Sequence, residues 1–424
     1  MQKLTRVQCE LMVIGSGMAG MAAAFFAARR GIDTVQVGIS GELGFASGLL
    51  DLLGVHPLEK GLRRADPWAG IKRLVRDEPE HPYARLSIDQ IQEAMRICLA
   101  FFDQAGLPYR TNRRRNAGIL TPVGTIKTTY AVPASMFAGV AALIDRKPTL
   151  IVDFTGLKGF SARQIIETIG PEWPHLRKVR VDLPGTRGEL YAEHAARKLE
   201  VPGCRRQLAE AIKPHLGNCQ ALGLPALLGI YSTMEIIDAL QRSLGVPVFE
   251  IPTMVPAVPG LRLREAFERH LPQMGVHAFY QHKVFQTQVL ANGDFVFWVG
   301  RQEPELRIHS RAAVLASGRF FGKGLRADRL RIHETIFDLP VRQPADRTLW
   351  HHQQFLNPRG HLINRAGLAV DEAFRPIDVN GQVIHERLHA IGSILANQDW
   401  MRQKCGSGLA IATGFGAVQA LNIF

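Results

Sequence analysis

The segment Gly15-Ser16-Gly17-Met18-Ala19-Gly20 sets three glycines in the spacing that a dinucleotide pyrophosphate requires. Gly15 permits a tight turn, Gly17 removes the side chain that would bar a phosphate from the backbone, and Gly20 lets the next helix pack closely on the preceding strand. The amides at that helix N-terminus, those of Ser16, Met18 and Ala19 among them, supply donors and a positive field for the anion. A second pair of glycines lies far downstream in Cys405-Gly406-Ser407-Gly408-Leu409, after Ala390-Ile391-Gly392-Ser393. A helix N-terminus of that kind can aim its amides at the pyrimidine edge of a reduced flavin, where negative charge develops. The two motifs together argue for a flavin, FAD rather than NAD.

One part of the dinucleotide pattern is missing. The end of the second strand should offer an acid to the adenosine ribose, yet position 38 is Gly and the nearest acid is Glu42. A flavin without its adenosine half therefore stays open. Cys9, Cys98, Cys204, Cys219 and Cys405 lie far apart, with no CxxC and no matching His spacing, so the chain encodes no metal site or iron-sulfur cluster. Cys405 reads as a small packing residue rather than a redox thiol. Lys127, Arg262 and Arg319 read individually as surface or structural cations first, and as candidate anion clamps near the flavin N5 second.

Positioning these residues takes a defined set of elements. Cys9 to Gly15 is a nearly continuous apolar run, as in a buried parallel strand. Ala22, Ala23, Phe26 and Ala27 follow at helical spacing up to Gly31, and Thr34 to Val37 makes a second strand, completing a βαβ unit. Ser87 can cap a helix with Ile88, Ile91, Met95, Cys98 and Phe102 on one face, and Thr121 to Tyr130 reads as a hairpin. Strands at Leu150 to Phe154, Val179 to Leu183, Ala221 to Pro225 and Val246 to Ile251 alternate with helices and imply a second parallel sheet. The expected class is α/β: a discontinuous Rossmann-like FAD/NAD(P)-binding domain at 1–147 and 256–424, interrupted by an inserted α/β domain at 148–255. In the returning part, Asn292-Gly293 joins two strands in a hairpin. A buried strand, Arg311 to Ser317, ends at Gly318, and Leu388 to Gly392 precedes a helix starting near Gly406.

With 424 residues and 46% hydrophobic content, two or three folded domains are expected. The run Leu11 to Ile14 leads straight into the glycine turn and leaves no room for a signal peptide, which points to the cytoplasm. No apolar stretch is long enough to span a bilayer, so any membrane contact is peripheral. The balance of 51 Lys+Arg against 38 Asp+Glu, a net +13, suits an acidic partner, an anionic surface or a phosphorylated ligand. Nucleic acid is disfavoured, because there is no basic-aromatic alternation and no RNA-binding module. The run Arg113-Arg114-Arg115 reads as a solvated loop.

Beside these motifs stand three further segments: Phe45-Ala46-Ser47-Gly48-Leu49-Leu50-Asp51-Leu52-Leu53, Thr121-Pro122-Val123-Gly124-Thr125, and Leu315-Ala316-Ser317-Gly318-Arg319-Phe320-Phe321 with Gly324. Together with Pro259-Gly260-Leu261-Arg262-Leu263 and Arg375-Pro376, they make the chain resemble, over nearly its whole length, the family of B-type subunits of anaerobic glycerol-3-phosphate dehydrogenases. The resemblance implies a cytoplasmic flavoprotein, described in that family as carrying FMN, that pairs with an FAD-bearing catalytic subunit. It further implies an iron-sulfur subunit that anchors the pair to the membrane and passes electrons from sn-glycerol 3-phosphate, oxidised to dihydroxyacetone phosphate, to quinone. By position, Ser47 and Gly48 follow the second strand and would contact the flavin, and Val284 would offer its backbone to an adenine. The expected cofactor site thus combines the Gly15 to Gly20 turn with Ser47, Gly48, Val284, Ser317, Gly318, Gly392, Ser393, Gly406, Ser407, Gly408 and Leu409. Two other readings remain: a stand-alone flavin oxidoreductase acting on an anionic substrate, and a structural subunit with a vestigial site.

Overall fold

A computed structural model describes residues 4–39 and 42–422, with the backbone alone at Glu42. The chain divides into two compact units, one comprising Met1–Glu42, Asp51–Phe101 and Phe267–Phe424, the other Leu43–Leu50 and Phe102–Ala266.

In chain order, β1 (Thr5–Ile14), α1 (Met18–Arg29) and β2 (Thr34–Gly38) open the first unit. The second unit holds β3 (Thr149–Phe154), β4 (Leu176–Val181), β5 (Ala221–Pro225) and β6 (Val248–Ile251). The first unit resumes with β7 (His277–Tyr280), β8 (Lys283–Val289), β9 (Phe295–Gly300), β10 (Leu306–Leu315), β11 (Leu388–Ala390) and the C-terminal helix α2 (Gly406–Ala420).

The first unit is built on a 7-stranded sheet in the order β7-β2-β1-β10-β9-β8, with β11 also on β10. From β7 to β10 the strands are parallel, and so is β11 on β10, whereas β10, β9 and β8 form an antiparallel meander. The long β10 serves both arrangements: residues 306–310 pair with β9 and residues 313–315 with β11. Every residue of β2 is buried, as the central position of a two-sided parallel sheet demands. Helix α1 is apolar all round and buried from Ala19 to Ala27. The expected hairpin forms as its turn chemistry dictates, with Gly293 at φ +81° and the Asn292 side chain accepting from the Asp294 amide at 3.1 Å. Ser87 caps its helix reciprocally: its hydroxyl accepts from the Gln90 amide (3.1 Å) while the Gln90 side chain accepts from the Ser87 amide (2.8 Å).

The second unit carries a parallel 4-stranded sheet in the order β6-β5-β3-β4. It is larger than the expected insertion at 148–255, beginning at Phe102 and taking in Leu43–Leu50. The cause is packing. Leu120, Ala142 and Leu143, which precede the expected boundary, lie in the same buried cluster as Ile151, Leu222 and Phe249. The helix Ala134–Asp145 comes so close that a Cβ at Gly139 would stand 2.6 Å from the Phe249 ring. The hairpin read at 121–130 is the turn and second strand of a longer one, Ala117–Leu120 against Ile126–Thr129. Among the described residues no helix is long and apolar enough to cross a membrane.

Candidate functional site

The carboxyl ends of β1, β10 and β11 are aligned by register, Ile14 opposite Leu315 and Leu315 opposite Ala390. The three glycine-bearing turns that follow these strands therefore meet at one edge of the sheet, where open α/β sheets place their ligands. The Ala316 amide donates to the Ile14 carbonyl (2.8 Å), and the Ile391 amide to the Leu315 carbonyl (3.0 Å).

At the first turn, Gly15 has φ +133°, and a Cβ there would stand 2.2 Å from the Ala316 carbonyl oxygen. Its amide donates to the Val37 carbonyl (2.7 Å), and its carbonyl accepts from the Gln36 side chain (3.0 Å). A Cβ at Gly20 would meet the Gly15 oxygen at 2.1 Å, so this glycine sets how closely α1 approaches the strand end. Gly17 is the N-cap of α1, in extended backbone, with no side-chain cap and no acid in the first turn. The N-terminal donors that an intrahelical ladder cannot satisfy, with the positive end of the dipole, thus lack a capping side chain. The absence of an acid at position 38 has a steric cause: a Cβ on Gly38 would lie 2.3 Å from the Ser16 hydroxyl oxygen and 2.6 Å from the Ser16 nitrogen. Ser16 occupies the space that an acidic side chain would use. Glu42, the nearest acid, has its side chain outside the described atoms.

At the second turn, Ser317 has a buried hydroxyl oxygen with no hydrogen-bond partner, and Gly318 adopts φ +69°. At the third, Gly392 has φ +72°, donates its amide to the Thr413 hydroxyl (3.0 Å), and would bring a Cβ within 2.5 Å of the Ala19 side chain. Ser393 is partly exposed, and its carbonyl accepts from the Gln398 side chain (3.2 Å). Helix α2 runs in the same direction as α1. Its Gly414 rests on Ala19, Ala22 and Ala23, Phe415 meets Phe26 edge-on at 5.2 Å, and the Val418 carbonyl accepts from Arg30.

The start of α2 is occupied in part by the protein itself. Asp51 bridges it, donating its amide to the Ser407 hydroxyl (2.7 Å) and accepting from the Gly408 amide (2.6 Å). A Cβ at Gly408 would come within 2.8 Å of Asp51 and Leu52, and one at Gly406 within 2.9 Å of the Trp400 ring. Both glycines are thus demanded by chain packing, and of the amides expected to face a ligand, that of Gly408 is engaged. Leu409 is buried, and its amide closes the first helical turn on the Cys405 carbonyl (2.8 Å). Cys405 is fully buried, and burial pushes its thiol well above its ordinary pKa, in keeping with a packing role.

Behind this junction lies a polar cluster with no sequence signal. The Tyr83 hydroxyl donates to the Leu52 carbonyl (2.8 Å), the His81 Nδ1 accepts from the Tyr83 amide (3.2 Å), and its Nε2 faces the Gln403 Oε1 (3.3 Å). His81 is wholly buried, and desolvation drives its pKa down to about 3. Its loop has no periodicity and its partner Gln403 is distant in sequence, so only the structure reveals it.

Of the three candidate clamps, Arg319 and Arg262 are engaged by the protein itself, in line with the structural reading of each. Arg319 donates its guanidinium to the carbonyls of Asn364, Leu395 (3.1 Å) and Gln398 (3.0 Å), pinning the loop between β11 and α2. Burial lowers its pKa to about 10, against the opposing charge of Asp399. Arg262 belongs to the second unit and is fully committed: it forks onto Glu250 at 2.6 and 2.8 Å and gives its Nε to the Gly229 carbonyl (2.9 Å), with both side chains buried. Lys127 lies on the second-unit hairpin opposite Ile119. Ser47 and Gly48 also belong to the second unit, where the Gly48 carbonyl accepts from the Tyr109 hydroxyl (2.7 Å) and a Cβ at Gly48 would meet Pro259 at 2.6 Å. Val284 pairs with Val299 beside a bulge at the start of β8.

These features fit a dinucleotide-type cofactor in the first unit: an uncapped helix N-terminus, a buried hydroxyl without a partner, and small residues where strand ends and helix converge. Residues 10–409 match the family model described as FAD binding domain. FAD is the flavin that description names, in line with the two glycine motifs. The chain is 32% identical, over 97% of both chains, to the probable B-type subunit of the anaerobic glycerol-3-phosphate dehydrogenase of Halobacterium salinarum. It is 30% identical to the B-type subunit of the Yersinia pestis anaerobic glycerol-3-phosphate dehydrogenase, over 95% of this chain and 96% of that one. With the Vibrio vulnificus protein of the same name, identity is 28% over 97% of this chain and 95% of that one. The chain therefore belongs to the B-type subunit family of anaerobic glycerol-3-phosphate dehydrogenases, within the FAD-binding flavin-dependent oxidoreductases.

Proposed function

We propose that this chain is the electron-transferring flavin subunit of an anaerobic glycerol-3-phosphate dehydrogenase complex. In this reading it passes electrons from the oxidation of sn-glycerol 3-phosphate to dihydroxyacetone phosphate towards an iron-sulfur subunit and quinone. Substrate oxidation itself is done by an FAD-bearing partner, and the chain sits on the cytoplasmic face of the membrane through the complex.

The observation that carries this reading is the make-up of the strand-end cradle. Gly15, Gly38, Ala316, Ser317 and Gly392 can hold a cofactor, and none of them carries a basic group to take a proton from an alcohol. The candidate clamps support the same assignment, since Arg319 and Arg262 are committed to backbone carbonyls and to Glu250. FAD, when bound, supplies the capacity to take up electrons in a pair and release them singly. What the chain's own residues do is hold it. The turn amides and the α1 dipole bind the pyrophosphate, Arg319 fixes the loop leading to α2, and the apolar α1 and α2 shield one side from water.

Substrate-dependent dye reduction, measured for the complex with and without this chain, tests the assignment. The expected result is flow that requires the chain, and a flavin on the isolated chain that sn-glycerol 3-phosphate does not bleach. Bleaching of the isolated chain would favour a stand-alone oxidoreductase, and full flow without it would favour a structural subunit.

A further inference from the structure

Three large apolar side chains of the first unit stand almost wholly in solvent: Leu330 is 85%, Phe355 83% and Leu356 84% exposed. One exposed leucine is ordinary, but three on adjoining loops mark an interaction surface. The loops at 326–331 and 347–362 are joined by the Arg347 guanidinium, which donates to the Asp328 carbonyl (2.8 Å). The second loop is braced from within. His361 accepts the His352 amide at Nδ1 (3.0 Å) and donates from Nε2 to the Phe355 carbonyl (2.9 Å), while buried Trp350 accepts from the Ile363 amide (3.2 Å). Phe355 and Leu356 are therefore presented on a supported backbone.

The charge within these two loops is mostly positive, with Asp346 and Lys323 just outside them. The two loops carry Arg326, Arg329, Arg331, Arg347 and Arg359 against Asp328, with no lysine. The Asp328 carboxylate is already engaged by the amides of Leu330 (2.7 Å) and Arg331 (2.8 Å) and by His333 (2.6 Å). Arg326, Arg329 and Arg359 have no carboxylate partner among the described residues. Arginine with phenylalanine, and lysine absent, is the composition of protein interfaces, whereas an anionic bilayer attracts either cation.

We infer that loops 326–331 and 347–362 form the docking face for an acidic protein partner, another subunit of the complex. Phe355 and Leu356 would be the buried anchors and the free arginines the charged rim. The inference rests on the subunit reading above and adds where the contact lies and what it must meet.

The test measures the affinity of this chain for the FAD-bearing and iron-sulfur subunits of its complex, purified from the native host. Two double variants are used, Phe355→Ala with Leu356→Ala, and Arg329→Glu with Arg359→Glu. Each pair should weaken assembly by roughly thirty-fold or more, the charge reversal should flatten the salt dependence, and bound flavin should be unchanged because these side chains are exposed. Assembly at native strength by both variants would overturn the docking face alone. Binding of the chain to phosphatidylglycerol vesicles that both variants abolish, with assembly intact, would overturn it in favour of lipid. A native chain that purifies without any partner would overturn the subunit reading together with it.

Discussion

His81, a residue with no motif, makes the stability of the fold depend on pH. It is held neutral beneath the loop that leads to α2, and burial lowers its pKa to about 3. The folded-state value lies below that of the unfolded chain, about 6.5, so the unfolded state takes up a proton first. The residue therefore opposes folding increasingly as pH falls from the unfolded value towards the folded one. Between pH 7 and pH 5 it should remove about 2 kcal/mol of stability. Urea denaturation at the two pH values checks this against His81→Asn, which keeps an acceptor for the Tyr83 amide and cannot titrate. The variant should lose about 2 kcal/mol less than the native chain over that interval, and an equal loss in both proteins would refute it. At this scale the glycine motifs were legible because their spacing is local. Arg319 and Arg262 read as structural cations, but their partners were not legible, because a guanidinium is assigned by its acceptors, and those of Arg319, at Asn364, Leu395 and Gln398, are far along the chain.

Between elements, the glycines do more structural work than a ligand-centred reading credits. Gly20 admits the Gly15 carbonyl, Gly408 admits the Asp51 to Leu52 segment, and Gly38 yields its side-chain space to Ser16. The last of these carries a test. Gly38→Asp, which restores the acid of the dinucleotide pattern, should not gain a ribose ligand. It should drive Ser16 out of the turn, lower retained flavin and destabilise the chain by about 2 kcal/mol or more. Flavin absorbance per protein and the urea midpoint decide it, and tighter flavin binding would contradict the packing account. Many of the strands and helices themselves were readable from periodicity. What periodicity missed includes the strand β7, the helices Pro67–Asp77 and Ala134–Asp145, and the outer half of β1 and β10: β1 begins at Thr5 and β10 at Leu306, where exposed and buried residues mix and the continuous apolar signal fades.

Over the whole molecule, the discontinuous first unit follows from strand order. Residues separated by the entire second unit must return to lie beside β1, and the register of β10 with β1 and β11 brings three turns to one edge. The presence of two α/β sheets was visible in the sequence. The reach of the second unit back to Phe102 and its capture of Leu43–Leu50 were not, because no break in composition marks them; Leu49, for one, lies in a buried cluster with Ala117, Val132 and Ala226. The net charge of +13 acquires a location, since part of it is concentrated on the two loops that expose Phe355 and Leu356. The central claim is that the converging turns at Gly15, Ser317 and Gly392 hold a flavin dinucleotide. Acid release of the cofactor from the purified chain, identified by mass, tests it most directly. FAD is the expected product of that release, and FMN alone or a colourless chain would refute the dinucleotide site.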